Sequence, residues 1–554
     1  MARRPNKLKV IPLGGLKEIG KNMTVVEYKN DIIIVDCGMT FPDEDMLGVD
    51  IVIPDISYLE KNKQKIRGIV VTHGHEDHVG AIPYVLRKLD IPVYGTKLTM
   101  GLLESKISEH GISKKHLNIV EKGSSIQLGA FKIDFIQVSH SIPDSVSFAI
   151  HTPIGILIFT GDFKIDYTPI DGDTTDLNRL AKLGSAGVLA LFADSTNVER
   201  EGYALSESTV GETFKELFSK AKERIVVATF ASNIHRVQQI ISAAENNGRK
   251  VALSGRSMLN NVRVAKELNY LKMRPTTLIE IRDIKKYKDH EICLLTTGSQ
   301  GEPMSALSRM AYGDHRQVQL KPSDTVILSA SPIPGNEKTV YGVIDRLTEL
   351  GVKVIYQSLA DVHVSGHANR EELKLIHNIV KPRYFVPVHG EARHLKSHKQ
   401  LAIKLGMDER NVFLPENGNT IEFTKQSAKL VETSYADNVL VDGLGVGDVG
   451  NVVLRDRKHL SEDGLIVVVV TIDHNKKEVV AGPDIISRGF VYVKEQTELI
   501  NEAREVVSQV LDDCKEKNIR DWGSIKYKIR GALRSFVFGE IKRNPMILPI
   551  IVEV

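Results

Sequence analysis

The sequence predicts an α/β protein: a sandwich of two sheets between helices, interrupted by a second α/β unit and followed by a small α+β domain. Three observations carry this. Residues 8–60 alternate short apolar runs with glycine-rich turns, and strand–helix alternation continues to about residue 160. Residues 209–370 change rhythm, helix leading to strand repeatedly, as in a doubly wound parallel unit. The glycine-rich stretch 442–450 then precedes a last block of strands and helices. A chain of 554 residues exceeds what one hydrophobic core supports, so several domains are expected. The predicted boundaries are 1–208 and 371–445 for the first domain, 209–370 for the insertion, 446–460 for a linker and 461–554 for the terminal domain.

The elements follow in order. Leu8–Leu13, Met23–Tyr28 and Asp31–Asp36 read as strands, and the turn Gly14–Gly20 between the first two lacks the helix that a dinucleotide-binding loop requires. Gly68–Thr72 reads as a buried strand, Gly80–Leu89 as a helix, Ile91–Tyr94 as a strand and Lys97–His110 as a helix. Strands return at Ile126–Leu128, Lys132–Gln137 and Ile156–Thr160. In the insertion, helices Thr209–Ala221 and Ile234–Asn246 lead into strands Arg224–Ala228 and Lys250–Ser254, with further strands at Glu291–Thr296 and Thr325–Ser329. Residues 382–389 resume the first domain. Strands Leu465–Ile472 and Gly489–Val493, helices Thr497–Lys517 and Trp522–Gly539, and strand Met546–Val554 complete the chain, leaving a strand exposed for partner contact.

Composition excludes several classes. No segment approaches the roughly 18–20 apolar residues of a membrane span, and the N-terminus lacks a secretory apolar region. Cys37, Cys293 and Cys514 are far apart among apolar residues, which suits reduced core thiols and a cytoplasmic location. A net charge of +3 announces no uniformly basic nucleic-acid binder, although an enzyme that admits one strand needs positive charge only along its channel.

The chemistry is concentrated in His73-Gly74-His75-Glu76-Asp77-His78, at the carboxyl end of a predicted strand. Three imidazoles and a carboxylate so close together are costly to desolvate unless they share a cation. Three more strands end in the same residue types: His140 after 132–138, Asp162 after 155–160 and His389 after 384–388. Reach and ligand count assign His73, His75 and His140 to one divalent ion and Asp77, His78 and His389 to a second, with Asp162 bridging. Nitrogen-rich shells point to zinc, mixed shells also accept manganese, and magnesium is a third candidate. Two such ions about 3.5–4 Å apart activate water and clamp a phosphodiester. Asp36, ending the run Ile32–Val35, is expected to orient the histidine loop.

A second polar loop, Asp361–Asn369, lies where the insertion returns to the first domain. A histidine there, His363 or His367, is placed to steady the scissile phosphate or protonate the leaving oxygen, and Asp194 at another strand end to orient it. The remaining histidines, His377, His398 and His474 among them, are expected to pack or face solvent.

These residues carry a resemblance. His73-x-His75-x-Asp77-His78 with His140, Asp162 and His389 resembles the two-metal site of the metallo-β-lactamase fold. Asp194-Ser195-Thr196-Asn197, Ser365-Gly366-His367 and His389-Gly390-Glu391 resemble the nucleic-acid-processing branch with an inserted β-CASP domain. The runs 14–20, 231–236, 297–303 and 482–490 are similar to the bacterial ribonuclease J family over essentially the whole chain. The resemblance implies a 5′-to-3′ exoribonuclease that also cleaves internally, in mRNA decay and ribosomal RNA maturation, acting on single-stranded RNA with a preference for 5′-monophosphate ends. It implies Asp77, Asp194 and His367 as catalytic residues. It implies that Ser232, Asn233 and His235, with Val364, Ser365, Gly366, His367 and Ala368, hold the terminal nucleotide. It further implies a homodimer or homotetramer built through the terminal domain, in some bacteria with a paralogous subunit, within RNA-degrading machinery. Gly48, Asp50 and Asp442 match a structural cation site, with calcium the expected ion.

Three rivals remain at this point. A small-ester hydrolase on the same metal platform leaves the insertion unexplained, a DNA-processing β-CASP nuclease needs the same metals, and a noncatalytic RNA-binding scaffold would bind without turnover.

Overall fold

The computed structural model describes residues 6–302, 304–333, 336–431, 436–473, 479–490 and 496–554. The chain forms two compact units, Met1–Thr40 with Val52–Val439, and Phe41–Ile51 with Leu440–Val554. Residues 41–51, expected in the first domain, are thus held by the terminal unit, where Asp50 accepts a hydrogen bond from Gly443 N and Leu47 O accepts one from Arg457.

Two sheets face each other in the first unit. One has eight strands, in the order Ala428–Val431, Thr420–Phe423, Leu8–Gly14, Met23–Tyr28, Asp31–Val35, Ile66–Val70, Val93–Gly95 and Leu117–Ile119. The other has six: Tyr384–Val388, Val188–Asp194, Ile156–Phe159, Val146–His151, Phe131–Gln137 and Ser125–Leu128. Between them lies a dry layer in which Val26, Ile33 and Val70 of one sheet meet Phe135, Phe148 and Phe192 of the other. Helices Leu177–Ala186 and Arg370–Val380 cover the outer face of the six-stranded sheet through Leu180, Leu373 and Ile376.

Strand direction puts the predicted ligands at one edge. Asp31–Val35 and Ile66–Val70 run parallel with Val35 beside Val70, so Asp36 and the His73 loop leave together. Ile156–Phe159, Val188–Asp194 and Tyr384–Val388 are also parallel, with Asp194 beside Val388. Ligand loops at strand ends are thereby fixed by a buried lattice.

The insertion is a six-stranded parallel sheet in the order Leu278–Ile279, Lys250–Ser254, Ile292–Thr296, Ile225–Ala228, Thr325–Leu328 and Lys353–Ile355. One face buries Val227, Leu253 and Leu295 against Phe214, Val237 and Met258; the other buries Val226, Leu294 and Val326 against Leu307, Val343 and Leu347. Both faces are covered, as parallel sheets require.

In the terminal unit, helices Gln496–Glu516 and Trp522–Ile541 cover one face of the sheet Val479–Arg488, Leu465–Ile472, Met546–Glu553. Three expectations are corrected here. The linker expected at 446–460 is mostly helix, Asn451–Asp463; none of its residues is buried, so no apolar stripe announces it in the sequence. Strand Val479–Arg488 runs where no strand was expected; it lies at the sheet edge, where Pro483 is tolerated. Gly489 and Phe490 form a bend instead of starting a strand, and Val491–Val493 lie outside the described residues, as does His474.

Candidate metal centre and active site

The strand ends converge on two sets of donors that share one carboxylate oxygen. His73 Nε2, His75 Nδ1, His140 Nε2 and Asp162 Oδ2 form the first: His73 lies 3.0 Å from His75, His140 3.2 Å from His75, and Asp162 3.7 and 3.8 Å from His73 and His140. Asp77 Oδ2, His78 Nε2, His389 Nε2 and Asp162 Oδ2 form the second, with separations of 3.0 Å for His389–Asp77, 3.5 Å for His78–Asp77 and 3.3 Å for His78–Asp162. Ligands at roughly 2.0–2.1 Å from a tetrahedral ion stand about 3.3 Å apart, so both sets have the size of a coordination shell.

The non-ligating nitrogen of four of the five histidines is held by an acceptor, which fixes tautomer and ring angle. His73 Nδ1 faces Thr72 Oγ1 at 3.0 Å, and that hydroxyl donates to Asp36. His78 Nδ1 faces Asp36 Oδ2 at 2.8 Å, His140 Nδ1 faces Gly366 O at 2.8 Å, and His389 Nδ1 faces Thr196 Oγ1 at 2.7 Å. Asp36 also accepts from Thr72 N at 2.8 Å, placing it behind the ligands at a left-handed residue (φ 58°). Gly38 is needed for close approach: a Cβ there would stand 1.6 Å from Asp77 O.

The electrostatics fit cations. Burial holds His73 and His140 well below the usual imidazole range and His75 at about 4, so these three are neutral at pH 7, the form in which an imidazole can hold a metal. Burial would raise Asp77 and Asp162, but the surrounding imidazoles outweigh it and keep both ionised. Burial opposes charge on His78 and His389 too, yet the carboxylates prevail and His389 rises to about 9. Those two therefore carry protons that cations would displace. Asp162 Oδ2 faces both sets, and its Oδ1 is buried with no hydrogen-bond partner among the described residues, so this carboxylate is left with capacity that a cation would use.

His367 and Asp194 complete the floor. His367 Nδ1 lies 2.7 Å from Asp194 Oδ2 and 3.9 Å from Asp162 Oδ2. Burial lowers the His367 pKa, but Asp194 and Asp162 together raise it above the ordinary value. Asp194 Oδ1 accepts from Thr196 N and Oγ1, and Thr196 in turn holds His389. Asn197 Nδ2 donates to Ser365 Oγ at 2.8 Å and His367 O at 3.1 Å.

The predicted nucleotide-binding residues divide by role. Asn233 caps helix Ile234–Asn246 by accepting from Arg236 N, and Ser232 precedes it in the turn. His235 is buried beside a cavity that His140, Lys164 and Asp171 also line, its Nε2 3.5 Å from Asp171. Val364 packs into the insertion's core and Ala368 into the first domain's. Gly366 lies so close to His140 that a Cβ would stand 2.7 Å from the ring. His363 is half-buried, and its Nδ1 has no hydrogen-bond partner among the described residues.

Gly48, Asp50 and Asp442, expected to hold a structural cation, lie together beside Arg457 in the terminal unit. Arg457 pairs with Asp442, its Nη1 would stand 2.6 Å from a Gly48 Cβ, and Asp50 is engaged by Gly443 N.

Sequence reasoning missed several parts. Asn22 donates to Asp77 O at 3.1 Å, and Thr72 and Thr196 adjoin recognised motifs and supply the second contact for His73 and His389. His377 and His398 are not isolated packing residues: Ser195 Oγ lies 3.0 Å from His398 Nδ1, and His398 Nε2 3.2 Å from His377 Nε2.

A sandwich of two sheets with paired metal sites at one edge, and a parallel insertion over it, defines a metallo-β-lactamase-type hydrolase with a β-CASP domain. Family models match in the same order. These are the metallo-β-lactamase superfamily over 17–200, the ribonuclease J β-CASP domain over 222–347, a Zn-dependent metallo-hydrolase RNA specificity domain over 351–415 and the ribonuclease J C-terminal domain over 452–554. The chain is 44% identical to ribonuclease J2 of Bacillus subtilis, covering 100% of both chains. It is 43% identical to ribonuclease J of Thermus thermophilus, over 99% of this chain and 95% of the relative. A solved structure of a protein of unknown function from Enterococcus faecalis shares the fold at 19% identity (TM-score 0.54), over 75% of this chain and 100% of that one. The chain belongs to the ribonuclease J family and is a metal-dependent ribonuclease.

Proposed function

We propose that the protein degrades single-stranded RNA from 5′-monophosphate ends in the 5′-to-3′ direction and also cleaves internally, in mRNA decay and ribosomal RNA maturation. One observation carries the proposal. The loop Ser365–Ala368 and the start of helix Ile234–Asn246 flank His140 on the insertion side, and Gly366 O holds the His140 ring. A terminal phosphate bound by loop amides and the helix N-terminus would lie beside His140, at the edge of the metal centre. The first phosphodiester would then be the one cleaved.

Zinc or manganese ions held by His73, His75, His140, Asp77, His78, His389 and the bridging Asp162 would lower the pKa of water and neutralise phosphate charge. Asp77 keeps its carboxylate toward the second site. His367 is placed to deliver a proton to the departing 3′ oxygen, while Asp194 accepts from its Nδ1, sets its orientation and, against burial, raises its pKa above the ordinary imidazole value. The products carry 5′-phosphate and 3′-hydroxyl ends.

Self-association through the terminal domain, as a homodimer or homotetramer and with a paralogous subunit in RNA-degrading machinery, fits its open sheet face, where Ile486, Leu548, Ile550 and Val552 are exposed. A cytoplasmic setting fits three free buried cysteines, and among the described residues no helix is long and apolar enough to cross a membrane.

The test adds protein to matched RNAs bearing 5′-monophosphate, 5′-triphosphate or 5′-hydroxyl ends, with a DNA strand of the same sequence, and follows products in time. Mononucleotides released from the 5′-monophosphate RNA first support the reading. Equal cleavage of DNA favours a DNA-processing enzyme, and binding without products favours a scaffold.

A further inference from the structure

Arg236 is fully buried, and among the described residues no larger side chain is so enclosed. A guanidinium keeps its charge in a protein, so its burial needs a specific partner set. Its Nε and Nη2 grip Glu207 at 2.5 and 3.0 Å. Its Nη1 donates to Ser329 Oγ at 2.6 Å, Ser329 O at 3.2 Å and Val362 O at 3.0 Å. Ser329 Oγ donates to the same Val362 carbonyl at 2.6 Å. One cation therefore joins four pieces of chain: the entry to the insertion at Glu207, the helix bearing Asn233 and His235, the strand end at Ser329, and the segment that leads into residues 363–368.

The downstream end of that segment is held from the other side. Asn197 grips Ser365 and His367, and the fully buried carboxylate of Glu372 accepts from Ile165, Ala204 and Asn369 N at 2.7 Å each. His367 is thus fixed by the metal-bearing domain, whereas the upstream end, at Val362, is fixed by Arg236. Being buried and engaged, Arg236 is no phosphate ligand.

We infer that Arg236, paired with Glu207, is a positioning residue that sets the spacing between the two walls of the 5′-end pocket, residues 232–235 and 364–368. It governs discrimination of RNA 5′ ends and leaves hydrolysis at the metal centre untouched. The inference rests on the proposed end recognition, and its test separates the two.

Full-length metal-loaded wild type is compared with Arg236→Lys, with Arg236→Met/Glu207→Gln, which leaves no buried charge unpaired, and with Ser329→Ala, which buries no charge. Three quantities are read: the ratio of kcat/KM for 5′-monophosphate over 5′-hydroxyl RNA, hydrolysis of bis(p-nitrophenyl) phosphate, and bound metal. Losing hydrogen bonds to a charged group should reduce the RNA ratio roughly tenfold or more in both Arg236 variants, and less in Ser329→Ala. Small-diester hydrolysis and metal content should hold. Variants that keep the wild-type ratio, or that lose small-diester hydrolysis in parallel with RNA cleavage, overturn the inference. A wild type indifferent to the 5′ end overturns the pocket reading and this inference with it.

Discussion

Replacing Asp194 with asparagine tests the assignment of His367 as the proton donor. Asp194 Oδ1 is committed to Thr196 N at 2.9 Å and Thr196 Oγ1 at 2.7 Å, which orients the side chain. In Asp194→Asn the carbonyl oxygen keeps those bonds, and the amide NH2 takes the place of Oδ2, 2.7 Å from His367 Nδ1. An amide donor there requires Nδ1 to accept, which forces His367 neutral. The lost charge-assisted bond is worth about 2–3 kcal/mol, so kcat should fall roughly 30- to 150-fold at pH 7. The pH dependence has a definite sign. His367 titrates above its ordinary value because Asp194 and Asp162 stabilise its proton against burial. Wild-type activity should therefore fall on the alkaline side as that proton leaves, and the substitution should move that limb to lower pH. Steady-state rates on a labelled 5′-monophosphate RNA from pH 5.5 to 9.5 provide the assay. An unchanged kcat with an unmoved alkaline limb would refute the role of His367.

Two further predictions follow from packing. Gly38→Ala would bring a methyl group to 1.6 Å from Asp77 O, so the histidine loop must shift; stability should drop by roughly 3 kcal/mol and bound metal should fall, read by denaturant melts and metal analysis. Burial holds His377 at about 4, so the folded protein refuses a proton that the unfolded chain accepts below about 6.5. Its contribution is intact above that value and is lost as pH falls toward 4, about 3 kcal/mol in all. His377→Leu should therefore flatten the fall in melting temperature between pH 7 and 4.5 in chelator-treated protein; an equal fall in both proteins would count against it.

The sequence announces the metal centre because its chemistry is local. Three imidazoles within six residues have few uses apart from a cation, and His140, Asp162 and His389 each close an apolar run that reads as a strand. What holds these ligands is harder to read. Thr72, Thr196 and Asn22 are ordinary polar residues until the fold carries them to a histidine. The Ser195–His398–His377 chain joins positions up to 203 residues apart, and no periodicity encodes it. The helix Asn451–Asp463 escapes for a different reason. With no buried residue it lacks the apolar stripe that marks a helix in sequence, and the neighbouring glycines suggest a linker. Arg236 is visible as a charge inside a motif, but its complete burial follows only from the meeting of three distant segments.

Metal stoichiometry tests the central claim most directly. Mass spectrometry of protein reconstituted with zinc or manganese should find two ions per chain, one after His389→Ala, and RNA cleavage that fails with the loss of either. A single ion in the wild type, or cleavage undiminished after chelation, would contradict a paired centre bridged by Asp162.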